Sequence, residues 1–196
     1  MKFGLAFASS VGTGSQSALE ICRAAEAAGF DSVWGGEHVI RPDHVESPYP
    51  YTEDGAMPGE SDTPIPDPLI WLAYVGAAAP TLRLGTCILI VPQRNPLILA
   101  KELATLDQLT GGRVELGLGV GWMREEFEAL GLPDFEARGR VTNEYLEAMK
   151  VLWTEARASY QGEFVAFNDV AADPKPEQTP HPPIWIGGES GPAMRR

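Results

Sequence analysis

Three histidines occur in the chain, and one of them, His38, stands two residues after a short apolar run, Ser32–Gly36, that reads as a strand. An imidazole near neutral pKa at a strand end could donate to a ring carbonyl or move a proton, or serve as a structural histidine at the rim. Glu37 stands beside it. Gly187-Gly188-Glu189-Ser190 lies between a second apolar run and the start of a helical pattern. Bare backbone N–H groups and a helix N-terminus bind phosphate in that setting, and a plain strand-to-helix turn has the same composition. Gly117-Leu118-Gly119-Val120-Gly121-Trp122 allows close backbone approach and offers the flat apolar face of Trp122; tight packing explains the glycines equally well. Glu125 and Glu126 adjoin that turn and could ionise near a ligand or simply favour a helix N-terminus.

Other constellations point away from alternative chemistries. His38, His44 and His181 have neither helical metal-binding spacing nor a cysteine cluster beside them, so no metal site is expected. Gly12-Thr13-Gly14-Ser15-Gln16-Ser17 is a defective dinucleotide fingerprint, lacking its third glycine. Cys22 and Cys87 imply neither a disulfide framework nor a zinc site and suit a reducing cytoplasm.

The elements that must position these residues alternate. Lys2–Ala8 reads as a strand and Ser15–Ala28 as a helix closed by Gly29. Ser32–Gly36 is followed by a helix over Pro68–Ala79, with Asp67 as N-cap, Pro68 in the first turn and Pro80 as the stop. Arg83–Val91 is a third strand; Asn95 and Pro96 open a helix that ends at Gly111-Gly112, and Val114–Gly119 is a fourth strand. Helices over Glu125–Leu130 and Arg140–Thr154, an accessory hairpin or extended excursion within 158–182 and a strand over Ile184–Ile186 complete the order. Residues 40–66 form a long proline-rich acidic connection whose Tyr49, Tyr51 and Met57 suit a lid over a substrate, or a solvated loop. Such alternation implies parallel pairing with right-handed crossovers, in either an open doubly wound sheet or a closed barrel. In both, function collects at the C-terminal strand ends, where His38, Trp122 and Gly187-Gly188 fall.

Bulk properties narrow the partners. The 196 residues are 44% hydrophobic, enough for one sizeable core. A net charge of -12, from 27 acidic and 15 basic residues, argues against nucleic acid or anionic membrane as partner. The sequence holds no stretch near the roughly 18–20 apolar residues of a membrane span and no signal-peptide pattern. A small-molecule substrate and a cytoplasmic location are expected.

Trp34-Gly35-Gly36-Glu37-His38, Leu84-Gly85-Thr86, Arg94-Asn95-Pro96, Thr105-Leu106-Asp107, Gly111-Gly112-Arg113, Gly119-Val120-Gly121-Trp122 and Pro182-Pro183-Ile184-Trp185-Ile186-Gly187-Gly188 together resemble the bacterial luciferase-like monooxygenase family, closest to its F420-dependent oxidoreductase branch. The resemblance implies an α/β fold of (β/α)8 TIM-barrel type, with about the first five βα units present in a C-terminally incomplete domain over 1–196. It implies coenzyme F420, an 8-hydroxy-5-deazaflavin, or alternatively FMN, at the C-terminal mouth of the barrel. His38 is then expected beside the ring, and Glu37 replaces an aspartate often found before that histidine. A non-prolyl cis peptide is expected between Cys87 and Ile88 against the ring face. Gly119, Gly121, Trp122 and Glu125 fall in the stretch that approaches the cofactor, and Gly187, Gly188 and Ser190 in the stretch that meets its phosphate.

The implied reaction is hydride transfer between F420 and a small organic substrate, with His38 or a nearby acid such as Glu37 handling the proton. The alternatives are an FMN-dependent, alkanesulfonate-type two-component monooxygenase, and a non-catalytic flavin-binding protein or fragment. A separate flavin or F420 reductase and a homodimeric assembly are the expected partners.

Overall fold

The computed structural model describes residues 1–132 and 134–196. Its main sheet contains strands β1 (Gly4–Leu5), β2 (Ser32–Gly35), β3 (Arg83–Thr86), β4 (Leu89–Ile90), β5 (Val114–Gly119) and β8 (Ile184–Ile186). They lie in the order β1-β2-β3-β5-β4, with β8 also paired to β5, and every pairing is parallel. β3 and β4 both pair with β5, at Leu84↔Val114 and Leu89↔Leu118, and are two halves of one strand position. Helices α2 (Ser15–Ala27), α3 (Pro68–Gly76), α4 (Pro96–Leu109) and α6 (Arg138–Thr154) form an outer layer, α2 against α3, α3 against α4 and α4 against α6. This is the βα alternation of a TIM-type barrel, present here as an arc of parallel strands.

Leucine dominates the interface between the layers. Leu72, Leu84, Leu99, Leu103, Leu116 and Leu118 are fully buried there. The helix starts follow the expected chemistry: Asp67 accepts from the N–H groups of Leu69 and Ile70, and Asn95 from those of Leu97 and Ile98, with proline in the first turn of each helix. At the opposite pole Arg113 donates to the carbonyls of Gly76, Ala79, Leu82 and Thr110, serving the C-terminal ends of α3 and α4 together. Asp107 is wholly buried and accepts from Val114 N–H and from both the backbone and side chain of Gln178. The Thr105-Leu106-Asp107 and Gly111-Gly112-Arg113 motifs therefore hold the base of the sheet.

Three expectations are corrected. The strand expected over Lys2–Ala8 is limited to β1, because Phe7 adopts a left-handed conformation with φ 54° and the chain turns into the short helix α1 (Ala8–Val11). The strand expected over Arg83–Val91 is interrupted at the cis bond between Cys87 and Ile88, and Val91–Gln93 is a 3-10 turn. The helix expected over Pro68–Ala79 stops at Gly76. The accessory excursion is an antiparallel hairpin of β6 (Ala158–Gln161) and β7 (Ala166–Val170). The last expected helix is the single turn α7 (Gly191–Met194), and α5 (Arg124–Ala129) follows β5. Among the described residues no helix is long and apolar enough to cross a membrane.

Candidate active site

One group of side chains gathers beyond the C-terminal end of β2, and a second lies among the strands themselves and at the break after β3. The first is built on His38, three residues after β2. Its Nδ1 lies 3.0 Å from Oε2 of Glu126, a residue of α5 with no exposed surface. Glu126 Oε1 accepts from Val39 N–H at 2.6 Å and from Ile40 N–H at 3.4 Å. Burial pushes the Glu126 carboxyl up, but the His38 imidazole and the Val39 N–H beside it outweigh that effect and hold the group below the usual glutamate range. The Trp122 ring stands edge-on to His38, with centroids 6.0 Å apart.

Gly121 brings α5 into this position. It has φ 80°, and a Cβ there would come within 2.7 Å of the Phe127 ring, so only glycine lets the chain leave β5 and turn at once into the helix. The helix then exposes its phase: Met123, Glu126 and Phe127 face inward, while Glu125 looks toward the long connection. Glu125 accepts from Glu46 N–H at 2.7 Å and Ser47 N–H at 3.0 Å, and Arg124 N–H donates to Ser47 Oγ. The two neighbouring acids thus fasten two different parts of the 40–66 segment, Glu126 its start and Glu125 its middle. Tyr49 packs edge-on against Trp122 at 5.1 Å and against Tyr51 at 5.4 Å.

The second group surrounds the cis bond. Trp34, Cys87, Ile88, Trp185 and Gly187 line a cavity of about 310 Å³, with the two tryptophans edge to face at 6.4 Å. Gly119 and Gly187 flank Ile88 so closely that a Cβ on either would approach its side chain to 2.7 and 2.8 Å. Burial, then Tyr51 and Cys87 nearby, push the Tyr49 phenol above the usual range. Gly188, at φ 105°, has a left-handed conformation in which a Cβ would lie 3.9 Å from the Tyr51 hydroxyl. Ser190 caps α7 by accepting from Ala193 N–H.

Glu37 is placed differently from His38. Its carboxylate, 2% exposed, accepts from Ile90 N–H at 2.5 Å and from the Arg94 guanidinium, which also pairs with Asp67 at the start of α3. Burial works to lower the Arg94 guanidinium, but Glu37 and Asp67 outweigh it and keep the group firmly charged. Both Glu37 oxygens are occupied in joining β2, β4 and α3. Sequence reasoning did not single out Glu126 as the partner of His38, nor Arg94 as that of Glu37. The spacing of Met123, Glu126 and Phe127, at i, i+3 and i+4, carried the first of these signals.

A family model described as luciferase-like monooxygenase matches residues 1–196. The chain belongs to this family. Among luciferase-like relatives, an F420-dependent glucose-6-phosphate dehydrogenase of Segniliparus rotundus is 37% identical over 164 residues, 82% of this chain and 44% of that protein. An FMNH(2)-dependent dimethylsulfone monooxygenase of Pseudomonas putida is 42% identical over 116 residues, 58% of this chain and 32% of that protein. The crystal structure of a monooxygenase from Streptomyces bottropensis superposes with a TM-score of 0.75 at 29% identity, covering 94% of this chain and 52% of the other. The chain spans about half the length of the curated relatives it matches.

Proposed function

We propose that this chain carries the cofactor-facing strands of a deazaflavin-dependent oxidoreductase that transfers hydride between coenzyme F420 and a small organic substrate. The observation that supports the reading is the non-prolyl cis Cys87–Ile88 bond after β3, which lines a cleft with Trp34, Trp185 and Gly187, beside the His38–Trp122 pair that follows β2 and β5. The lining suits a flat heteroaromatic ring: two tryptophans and Ile88 offer apolar faces, and Gly187 offers bare backbone. A deazaflavin bound there supplies the hydride-accepting carbon.

The chain's own residues would do the rest. Cys87 and Ile88 would floor the ring, Gly119 would let Ile88 pack close against β5, and Gly121 would turn α5 toward His38. Trp122 would wall it. Gly187, Gly188 and Ser190 would meet its phosphate. Glu125 would act through the 40–66 segment, and Tyr49 with that segment would exclude water. His38 would hold or move the proton through Nε2, which has no hydrogen-bond partner among the described residues. Glu37, tied to Arg94 and Ile90, is proposed as a positioning residue for the strand end that carries His38.

One finding favours a second reading, an FMN-dependent two-component monooxygenase: the 42% identity to the dimethylsulfone monooxygenase. A separate reductase would then deliver reduced flavin. Titration of the purified chain with F420 and with FMN, followed by tryptophan fluorescence, separates the two. Micromolar F420 binding with weaker FMN binding is the expected result; FMN preference selects the second reading, and binding of neither overturns both for this chain.

A further inference from the structure

A buried carboxylate must be neutralised by donors, and the donors on Glu126 are not equivalent. Oε1 is taken by two backbone N–H groups, Val39 and Ile40, which can only donate. Oε2 faces Nδ1 of His38 at 3.0 Å. An ionised carboxylate can only accept, so the imidazole nitrogen facing it must carry the proton. Neutral imidazole has one N–H, and placing it on Nδ1 leaves Nε2 as a lone-pair acceptor.

We propose that Glu126 is a positioning residue that fixes His38 as the Nδ1–H tautomer, so that Nε2 meets the reacting ligand as an acceptor, and that the same carboxylate latches the start of the 40–66 segment. The proposal deepens the reading of His38 as the proton-handling group, on which its consequence for the reaction rests; the tautomer itself is a property of the free protein. Trp122 restricts the imidazole further, standing edge-on to it. One carboxylate therefore sets both the direction in which His38 can take a proton and the seating of the segment that carries Tyr49. A role confined to the segment's backbone would leave His38 free to take either tautomer.

Substitution Glu126→Gln separates these cases. The single carbonyl oxygen of the new amide must stay with Val39 and Ile40, whose N–H groups accept no alternative. Its NH2 group then faces Nδ1 and donates to it, forcing the His38 proton onto Nε2. Long-range 1H–15N correlation of the histidine side chains at alkaline pH, which distinguishes the imidazolium and both neutral tautomers, reads the tautomer directly, with His38 assigned through a His38→Gln variant. The expected result is Nδ1–H in the wild type by at least roughly tenfold, as befits a hydrogen bond to a charged group, and reversal to Nε2–H in Glu126→Gln with the Val39 amide still protected from exchange. An Nε2–H wild type overturns the proposal without any variant, so it stays testable even if the substitution prevents folding. An unchanged tautomer in a folded Glu126→Gln protein also overturns it. Neither measurement uses a cofactor, so failure of F420 or FMN to bind is a separate result.

Discussion

Replacing Arg94 by methionine is expected to cost the fold about 3–5 kcal/mol at neutral pH, the range for removing one partner of a buried ion pair. Glu37 would be left at 2% exposure with only the Ile90 N–H to neutralise it, and Asp67 would lose a partner as well. The deficit should also depend on pH in a defined direction. Burial already holds the Glu37 carboxyl above the usual glutamate range despite Arg94, and loss of Arg94 raises it further; a group raised in this way contributes stability below the unfolded pKa that is lost as pH rises through the folded one. The variant should therefore recover toward wild type on acidification from pH ~7.5 to pH ~5. Urea unfolding at the two pH values checks this. A deficit below about 1 kcal/mol, typical of exposed pairs, or one that grows on acidification, would contradict the assigned pairing.

Gly117→Ala is expected to destabilise by at least about 3 kcal/mol or to prevent folding, at the upper end for overpacking. A Cβ at Gly117 would stand 1.9 Å from the carbonyl oxygen of Thr86. The obstacle is backbone of the neighbouring strand, locked by a 2.6 Å bond from Thr86 Oγ1 to the Gly117 carbonyl, and no rotamer change relieves it. Gly14→Ala is the control: it precedes α2 at an ordinary φ of -96°, and its nearest outside atom would be 3.6 Å away. Denaturation midpoints of the two variants should differ widely; a mild Gly117→Ala would mean that β3 and β5 are not so closely apposed.

Much of this arrangement was legible in the sequence because it is encoded locally. Asp67-Pro68 and Asn95-Pro96 announce helix starts through caps and a fixed proline φ, and Val114–Gly119 and Ile184–Ile186 are strands with the expected bounds. What was not legible depends on partners distant in sequence. Glu37 reads as a reactive neighbour of His38 until Arg94, 57 positions away, claims it. Glu125 and Glu126 look interchangeable beside the glycine-rich turn, and only the turn of α5 set by Gly121 sends Glu126 to His38 and Glu125 to the 40–66 segment. The end of β1 failed for a backbone reason: Phe7 takes a left-handed conformation that nothing about a phenylalanine favours. Glycines at 119, 121 and 187 suggested room for a ligand, whereas much of the space they leave is filled by Ile88 and Phe127.

The cleft beside Cys87 is the place where the proposed cofactor should be found, and its thiol can report on it. Cys22 is wholly buried, and burial followed by Glu26 pushes its thiol up to about 11, so it should stay silent toward an alkylating reagent in the folded protein. Cys87 lines the cavity and is partly exposed, so its modification should be slow, since burial raises its pKa too, but measurable. The most direct measurement is the rate of Cys87 alkylation with and without saturating F420, FMN or, as a control, adenosine monophosphate. Protection of roughly tenfold or more by F420 or FMN and none by the control is the expected result. An unchanged Cys87 rate with both flavin-type ligands would contradict the placing of a cofactor against the Cys87–Ile88 bond.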